Sequence, residues 1–179
     1  MTNGGKDGIM GADNIEWGFT NMNGTEQRNF ALGLRNPPNN VISDTQIESL
    51  KRDINAIKAD ITVFNFNKGR KTAYNDDLDI IFVKGDVFSD GNDSENIRDK
   101  LSARAVLAHE YYGHRAYRGT SVASGAWNDE FRASYMAAKN SPGLSAEDRY
   151  NLVRDAIERA KSNGVSIKYN DFMRRILYG

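Results

Sequence analysis

The sequence predicts an α+β fold, a small twisted sheet covered by helices. Three observations carry that prediction. Apolar residues recur at helical spacing through Ile47, Leu50, Ile54, Ile57 and Ile61; two short β-branched and aromatic runs come next; and most of the chain after residue 95 reads as helical segments with caps. At 179 residues and 39% apolar composition, the chain can bury a core without disulfide staples, and a single domain is expected.

Residues 1–40 are rich in Gly and Asn, include Pro37 and Pro38, and hold only isolated apolar positions such as Ile15, Trp17 and Phe30. They read as an irregular, partly ordered lead-in to a domain over 41–179. Ser43 or Asp44 caps a helix expected to run to about Ala59, whose apolar stripe needs a sheet to cover. Residues 61–66 (ITVFNF) form the first predicted strand, 67–77 are polar, and 79–83 (DIIFV) form the second, with Val87 and Phe88 closing a hairpin. A helix with room for a break is expected from near Glu95 to about Arg118, then a loop over 119–125 and a helix over about 128–139, stopped by Ser141-Pro142-Gly143. Ser145 with Asp148 resembles a capping box opening another helix, which ends near Asn163-Gly164, and a short last helix spans 170–178.

Composition removes several function classes. Lys and Arg together number 24, as do Asp and Glu, so no net field favours nucleic acid or an anionic membrane as partner. No segment approaches the ~20 apolar residues of a membrane span and no basic-then-apolar signal opens the chain, so a soluble chain without export signal is expected. Cysteine is absent, which excludes thiolate nucleophiles and Cys-rich structural zinc. A metal here has to be held by His and carboxylate.

The only two histidines fall in one short stretch, Ala108-His109-Glu110-Tyr111-Tyr112-Gly113-His114. Neutral imidazoles are good borderline ligands for zinc, and two on one helical face with a carboxylate from elsewhere leave a fourth position for water. Glu110 directly follows the first ligand, so it points near the metal without facing it, as the base does in the His-Glu-x-x-His pattern of helical zinc proteases. The spacing here is longer by one residue. Four residues put two side chains about 40° apart on a helix and five put them about 140° apart, so a regular helix cannot converge both rings. One extra residue absorbed as a π-bulge restores the shared face, and Gly113 lowers the steric cost of that distortion.

His-Glu-x-x-Gly-His resembles the signature of the dipeptidyl-peptidase III family, whose third ligand lies in a later helical motif, Glu-Glu-x-Arg-Ala-Glu/Asp. Asp129-Glu130-Phe131-Arg132-Ala133-Ser134 stands in that place. The resemblance implies a gluzincin site: His109, His114 and Glu130 as ligands of Zn2+, Glu110 as catalytic base, and Asp129 orienting a histidine. The longer stem of Glu130 also suits a ligand reaching from a separate helix. Ser134 departs from the family's final acid. The likeness covers the two motif helices only and the chain is too short for a whole dipeptidyl-peptidase III, so exopeptidase specificity does not carry over. The compact layout is similar to the zincin-like domains of bacterial polymorphic toxins, which implies delivery within a larger protein and an immunity or inhibitor protein as partner.

The expectation is therefore a zincin-like metallopeptidase acting on a protein or peptide substrate, with an edge strand within 79–88 binding extended substrate. Its rivals are a zinc amidase or deamidase on a non-peptide amide and a non-catalytic zinc-binding module. Arg132, Tyr111, Tyr112, Tyr117 and Tyr135 are the candidates for stabilising an oxyanion, and Trp127 reads as a core anchor beside the site. Arg149, Arg154, Arg159, Arg174 and Arg175 read as solvated helix faces.

Overall fold

The computed structural model describes residues 17–19, 35–89, 95–120 and 126–179. The fold is α+β: the described residues form five α-helices, a three-stranded sheet and a second, two-stranded sheet. No described helix is long and apolar enough to cross a membrane.

Helix α1 spans Asp44–Ala56, opened by a capping box in which the Ser43 hydroxyl accepts from the Gln46 N–H and the Gln46 side chain accepts from the Ser43 N–H. It ends one turn earlier than its apolar repeat suggests, because Lys58 turns the chain at φ 54°. Leu50, Ile54 and Ile57 are buried, while Ile61 is exposed. Residues Ile61–Val63 form a 3-10 turn instead of a strand, since the Asp60 carboxylate caps the Thr62 N–H, and β2 is confined to Phe64–Phe66. The polar stretch after it contains a strand that periodicity does not reveal, β3 (Ala73–Asn75), followed by β4 (Ile80–Val83).

The sheet order is β2-β4-β3, with β4 parallel to β2 and antiparallel to β3. This corrects two expectations. The 79–83 strand is central and cannot offer a free edge; the hairpin is β3–β4, and Gly85–Val87 is a 3-10 turn. The DIIFV run is apolar because Ile81 and Val83 are fully buried beneath the helices, the usual mark of an interior strand.

The expected long helix from Glu95 is two pieces. Ile97–Lys100 is a 3-10 turn, Leu101 is extended, and Ser102 caps α2 (Ala103–Ala108), which runs on without a break into a π-helical segment, His109–His114. Helices α3 (Trp127–Asn140), α4 (Ala146–Ser162) and α5 (Asp171–Tyr178) follow close to the sequence reading. Ser145 caps the Asp148 N–H, but the Asp148 carboxylate does not return the bond within its own helix and instead accepts the Ser102 hydroxyl, joining the starts of α4 and α2.

Two features lie within the presumed lead-in. Strand β1 (Trp17–Phe19) pairs antiparallel with β5 (Val165–Ile167), and the Arg35 guanidinium donates to the carbonyls of Asp86, Val87, Arg98 and Leu101. Ile15 and Phe30 fall outside the described residues.

Candidate metal centre

The π segment is what brings the two rings together. The Arg115 N–H donates to both the Glu110 and Tyr111 carbonyls, so the turn is one residue wider than an α-turn, as the His109–His114 spacing requires. Gly113 serves the site differently from the sequence reading. A Cβ there would lie 2.4 Å from the Ala133 carbonyl oxygen and 2.5 Å from its Cα, so glycine lets the π segment press against the backbone of α3. That approach delivers Glu130, in the first turn of α3, to the histidines.

His109 Nε2 and His114 Nε2 stand 3.0 Å apart; Glu130 Oε2 is 3.2 Å from the first and Oε1 is 3.4 Å from the second. The three residues form a group whose ligand atoms all lie within 4.8 Å of one another. These separations approach the ~3.3 Å between neighbouring vertices of a tetrahedron with ~2.0–2.1 Å bonds.

The outer partners fix which ring nitrogens carry hydrogen. The Ser134 hydroxyl lies 2.5 Å from Asp155 Oδ2 and 2.9 Å from His109 Nδ1. Burial pushes the Asp155 carboxyl up, but the charges of Arg159 and Arg98 outweigh it and hold Asp155 below its ordinary value, hence ionised. A carboxylate only accepts, so Ser134 gives it its one proton and must accept from His109 Nδ1–H. On the other ring, His114 Nδ1 faces Asp129 Oδ2 at 3.4 Å, and Asp129 is held by Arg132 Nη2 at 2.6 Å. Both Nδ1 atoms thus hold hydrogen, and both Nε2 lone pairs converge with a carboxylate. Such a cluster favours positive charge at its centre, supplied by a proton on an Nε2 or by a metal cation in its place.

The same preference shows in the electrostatics of His114 and Glu130. Burial lowers the His114 pKa, yet the Glu130 charge and the bonds to Asp129 and Glu130 prevail and raise it well above the ordinary histidine value. Burial raises Glu130, but Arg159, His114 and the bonds from both rings bring it well below the ordinary carboxylate range. The residues present fit a divalent cation bound by two nitrogens and one oxygen.

Glu110 is outside the trio but lines the same cavity of about 520 Å³, together with His109, His114, Glu130 and the β3 residues Ala73 and Tyr74. Its Oε2 accepts the Tyr74 N–H at 2.8 Å, so the edge strand of the sheet holds this carboxylate at the cavity wall. Arg98 and Arg159 line the cavity as well.

None of the sequence's oxyanion candidates reaches that cavity. Tyr111 stacks on Phe64 beneath the Arg115 guanidinium, Tyr112 donates to the Ile57 carbonyl, and Tyr135 is buried with its hydroxyl accepting from Asn170. Arg132 is committed to Asp129 and Thr120 and lies over the Tyr117 ring. Trp127 meets Phe131 edge-on, as a core anchor. Among the helical arginines, Arg154 makes a half-buried pair with Glu158, Arg174 makes an exposed pair with Asp171, and Arg175 is exposed. Arg149 instead donates to the Ala138 and Ser141 carbonyls at the end of α3.

Arg159 is a second correction: it is 4% exposed and bonds Asp155 Oδ2 at 2.8 Å and Glu130 Oε2 at 3.1 Å. Tyr74, Ser134 as a hydroxyl relay, Asp155 and Arg159 are the site residues that sequence reasoning missed. A signal existed only for the last two, whose i, i+4 spacing of opposite charge marks a pair without saying that it is buried. Set against protein-family models, curated proteins and solved structures, the chain matches none.

Proposed function

We propose that this chain is a zincin-like zinc metallopeptidase that hydrolyses peptide bonds in a protein substrate, with His109, His114 and Glu130 holding Zn2+ and Glu110 as general base. The observation that carries the reading is the fourth acidic side chain. Glu110 lies beside the ligand trio without joining it, lines the same cavity, and is oriented by the Tyr74 N–H. A purely structural zinc site is closed by its protein ligands and has no use for a base at an open face. Two nitrogens and one carboxylate suit zinc and leave a position free.

Zinc bound there would polarise a scissile carbonyl and bring the pKa of a water to about 7. Glu110 would accept a proton from the attacking water as its oxygen adds to the carbonyl carbon, and would pass that proton to the amine nitrogen as the C–N bond breaks. Ala73 and Tyr74 bring the edge strand of the sheet to the wall of the cavity, where a bound peptide would lie beside the base.

Zinc-reconstituted protein is to be incubated with a proteome-derived peptide library and the new termini identified by mass spectrometry. The expected result is about one zinc per chain and defined cleavages, which Glu110→Gln slows by ~10²–10⁴-fold while keeping the metal. Wild-type turnover in Glu110→Gln, or a zinc-loaded chain that cleaves nothing in the library, would remove the peptidase reading.

A further inference from the structure

We propose that Asp155 and Arg159, a buried ion pair on α4 outside both motif stretches, are positioning residues that hold two of the three ligands, His109 through the Ser134 hydroxyl and Glu130 directly. The inference rests on the metal-centre reading above and extends it to a third helix.

The direction of each bond makes the pair decisive. Ser134 and Asp155 are fully buried and Arg159 nearly so, so no solvent competes for their hydrogen bonds. Ser134 has one proton, and the Asp155 carboxylate takes it at 2.5 Å. The hydroxyl oxygen can then only accept from His109 Nδ1, at 2.9 Å, which leaves Nε2 as the bare nitrogen facing His114 and Glu130. Without the carboxylate, the hydroxyl is free to rotate and donate to Nδ1. The ring then carries its hydrogen on Nε2, the nitrogen that must stay bare to bind a cation.

Arg159 completes the arrangement from the same helix. Its Nε bonds Asp155 Oδ2 at 2.8 Å and its Nη1 meets Glu130 Oε2 at 3.1 Å. Glu130 Oε2 is thereby tethered 3.2 Å from His109 Nε2, which turns Oε1 towards His114 Nε2 at 3.4 Å. The ligand on the π segment and the ligand on α3 are both referenced to one pair on α4.

The pair is poorly explained as a stability device. Buried ion pairs are often no better for stability than apolar residues of similar volume. Asp155 Oδ1 also has no hydrogen-bond partner, while Oδ2 takes both Ser134 and Arg159. The carboxylate is turned to serve the relay at the expense of its own second oxygen.

The test uses the full chain in three forms, wild type, Ser134→Ala and Asp155→Leu; the last keeps the side-chain shape and leaves Arg159 its Glu130 partner. Zinc affinity is measured by competition with a chromogenic chelator, metal-free stability by thermal denaturation, and the hydrogen-bearing nitrogen of His109 by 15N NMR of the rings at alkaline pH. With only two histidines in the protein, His114→Ala suffices to assign the spectra. The expected result is His109 as the Nδ1–H form in wild type, a shift towards Nε2–H in both variants, and a ~10–100-fold loss of zinc affinity. An unchanged His109 tautomer and unchanged affinity in folded Ser134→Ala overturn the inference even if Asp155→Leu does not fold. Failure of wild type to take up zinc would refute the metal-centre reading instead, and the tautomer would still decide whether the relay exists.

Discussion

On the His114 side of the centre, the supporting carboxylate and its arginine, Asp129 and Arg132, stand three residues apart on the helix that also carries Glu130. On the His109 side, a serine stands between ring and carboxylate, and Asp155 and Arg159 come from the next helix. Both sides end in the same parts, a carboxylate taking the Nδ1 hydrogen directly or at one remove, and a guanidinium fixing that carboxylate. They differ in how far along the chain the parts are gathered. A local arrangement depends on one helix keeping its register; a relayed one depends on two helices keeping their distance.

Glu130→Ala breaks both sides at once, because this ligand touches both rings and Arg159. Its zinc affinity, measured by chelator competition, should fall further than the ~10–100-fold characteristic of losing an outer partner. Gly113→Ala strikes the approach on which both sides depend. The added methyl meets the backbone of Ala133, so overpacking should cost roughly 1–3 kcal/mol in thermal or denaturant unfolding, with weaker zinc retention. Wild-type stability in that variant would mean that the helices separate without penalty.

Asp129→Ala isolates the His114 side and should lower zinc affinity by ~10-fold, well short of Glu130→Ala. The reverse order would identify Asp129 as the ligand. The smallest effect concerns the tether beyond His114, where Arg115 pairs with Asp79 at 2.8 Å. The Arg115 bond holds the Asp79 carboxyl below its ordinary value of 3.8, against a smaller rise from burial. A depressed carboxylate stabilises the fold above its unfolded pKa and loses that contribution as pH falls through the folded one. Asp79→Asn, which tolerates the φ of 49° at this position, should therefore be slightly less stable than wild type at neutral pH. The gap between the two proteins in thermal denaturation should narrow as pH falls below 3.8 and close below the lowered folded-state pKa, and a gap that persists there would assign the loss to something other than charge.

What was legible in the sequence follows the same division. The helices at 127–140, 146–162 and 171–178 and the wide turn at the histidines rest on caps, periodicity and the short His109–His114 spacing, whereas Glu130 joins the histidines through the motif resemblance. Strand β3 was missed because Lys71, Asn75 and Asp76 make its surroundings polar, and what makes it a strand is pairing with β4. The sequence places an edge strand within 79–88 because an apolar run looks the same in a central strand and an edge strand until its neighbours are known. Arg159 read as solvated because charge at i, i+4 is the pattern of an exposed face, and only packing against α3 buries it. Gly113 was noticed for the freedom of its own backbone, whereas its use lies in the backbone opposite.

The bond from the Tyr74 N–H to Glu110 is the one described tie between the sheet and the acidic side chains of the centre. Every other group in the network, from His109 to Arg159, lies on one uninterrupted run of chain. The ligand trio of the proposed centre is thus arranged by the helices, while Glu110, on the same π segment, takes its orientation from the sheet. On the proposed reading, substitutions that reshape β3 would retune the base while leaving the ligand trio intact, and substitutions within the helices would disperse the trio while leaving the edge of the sheet in place.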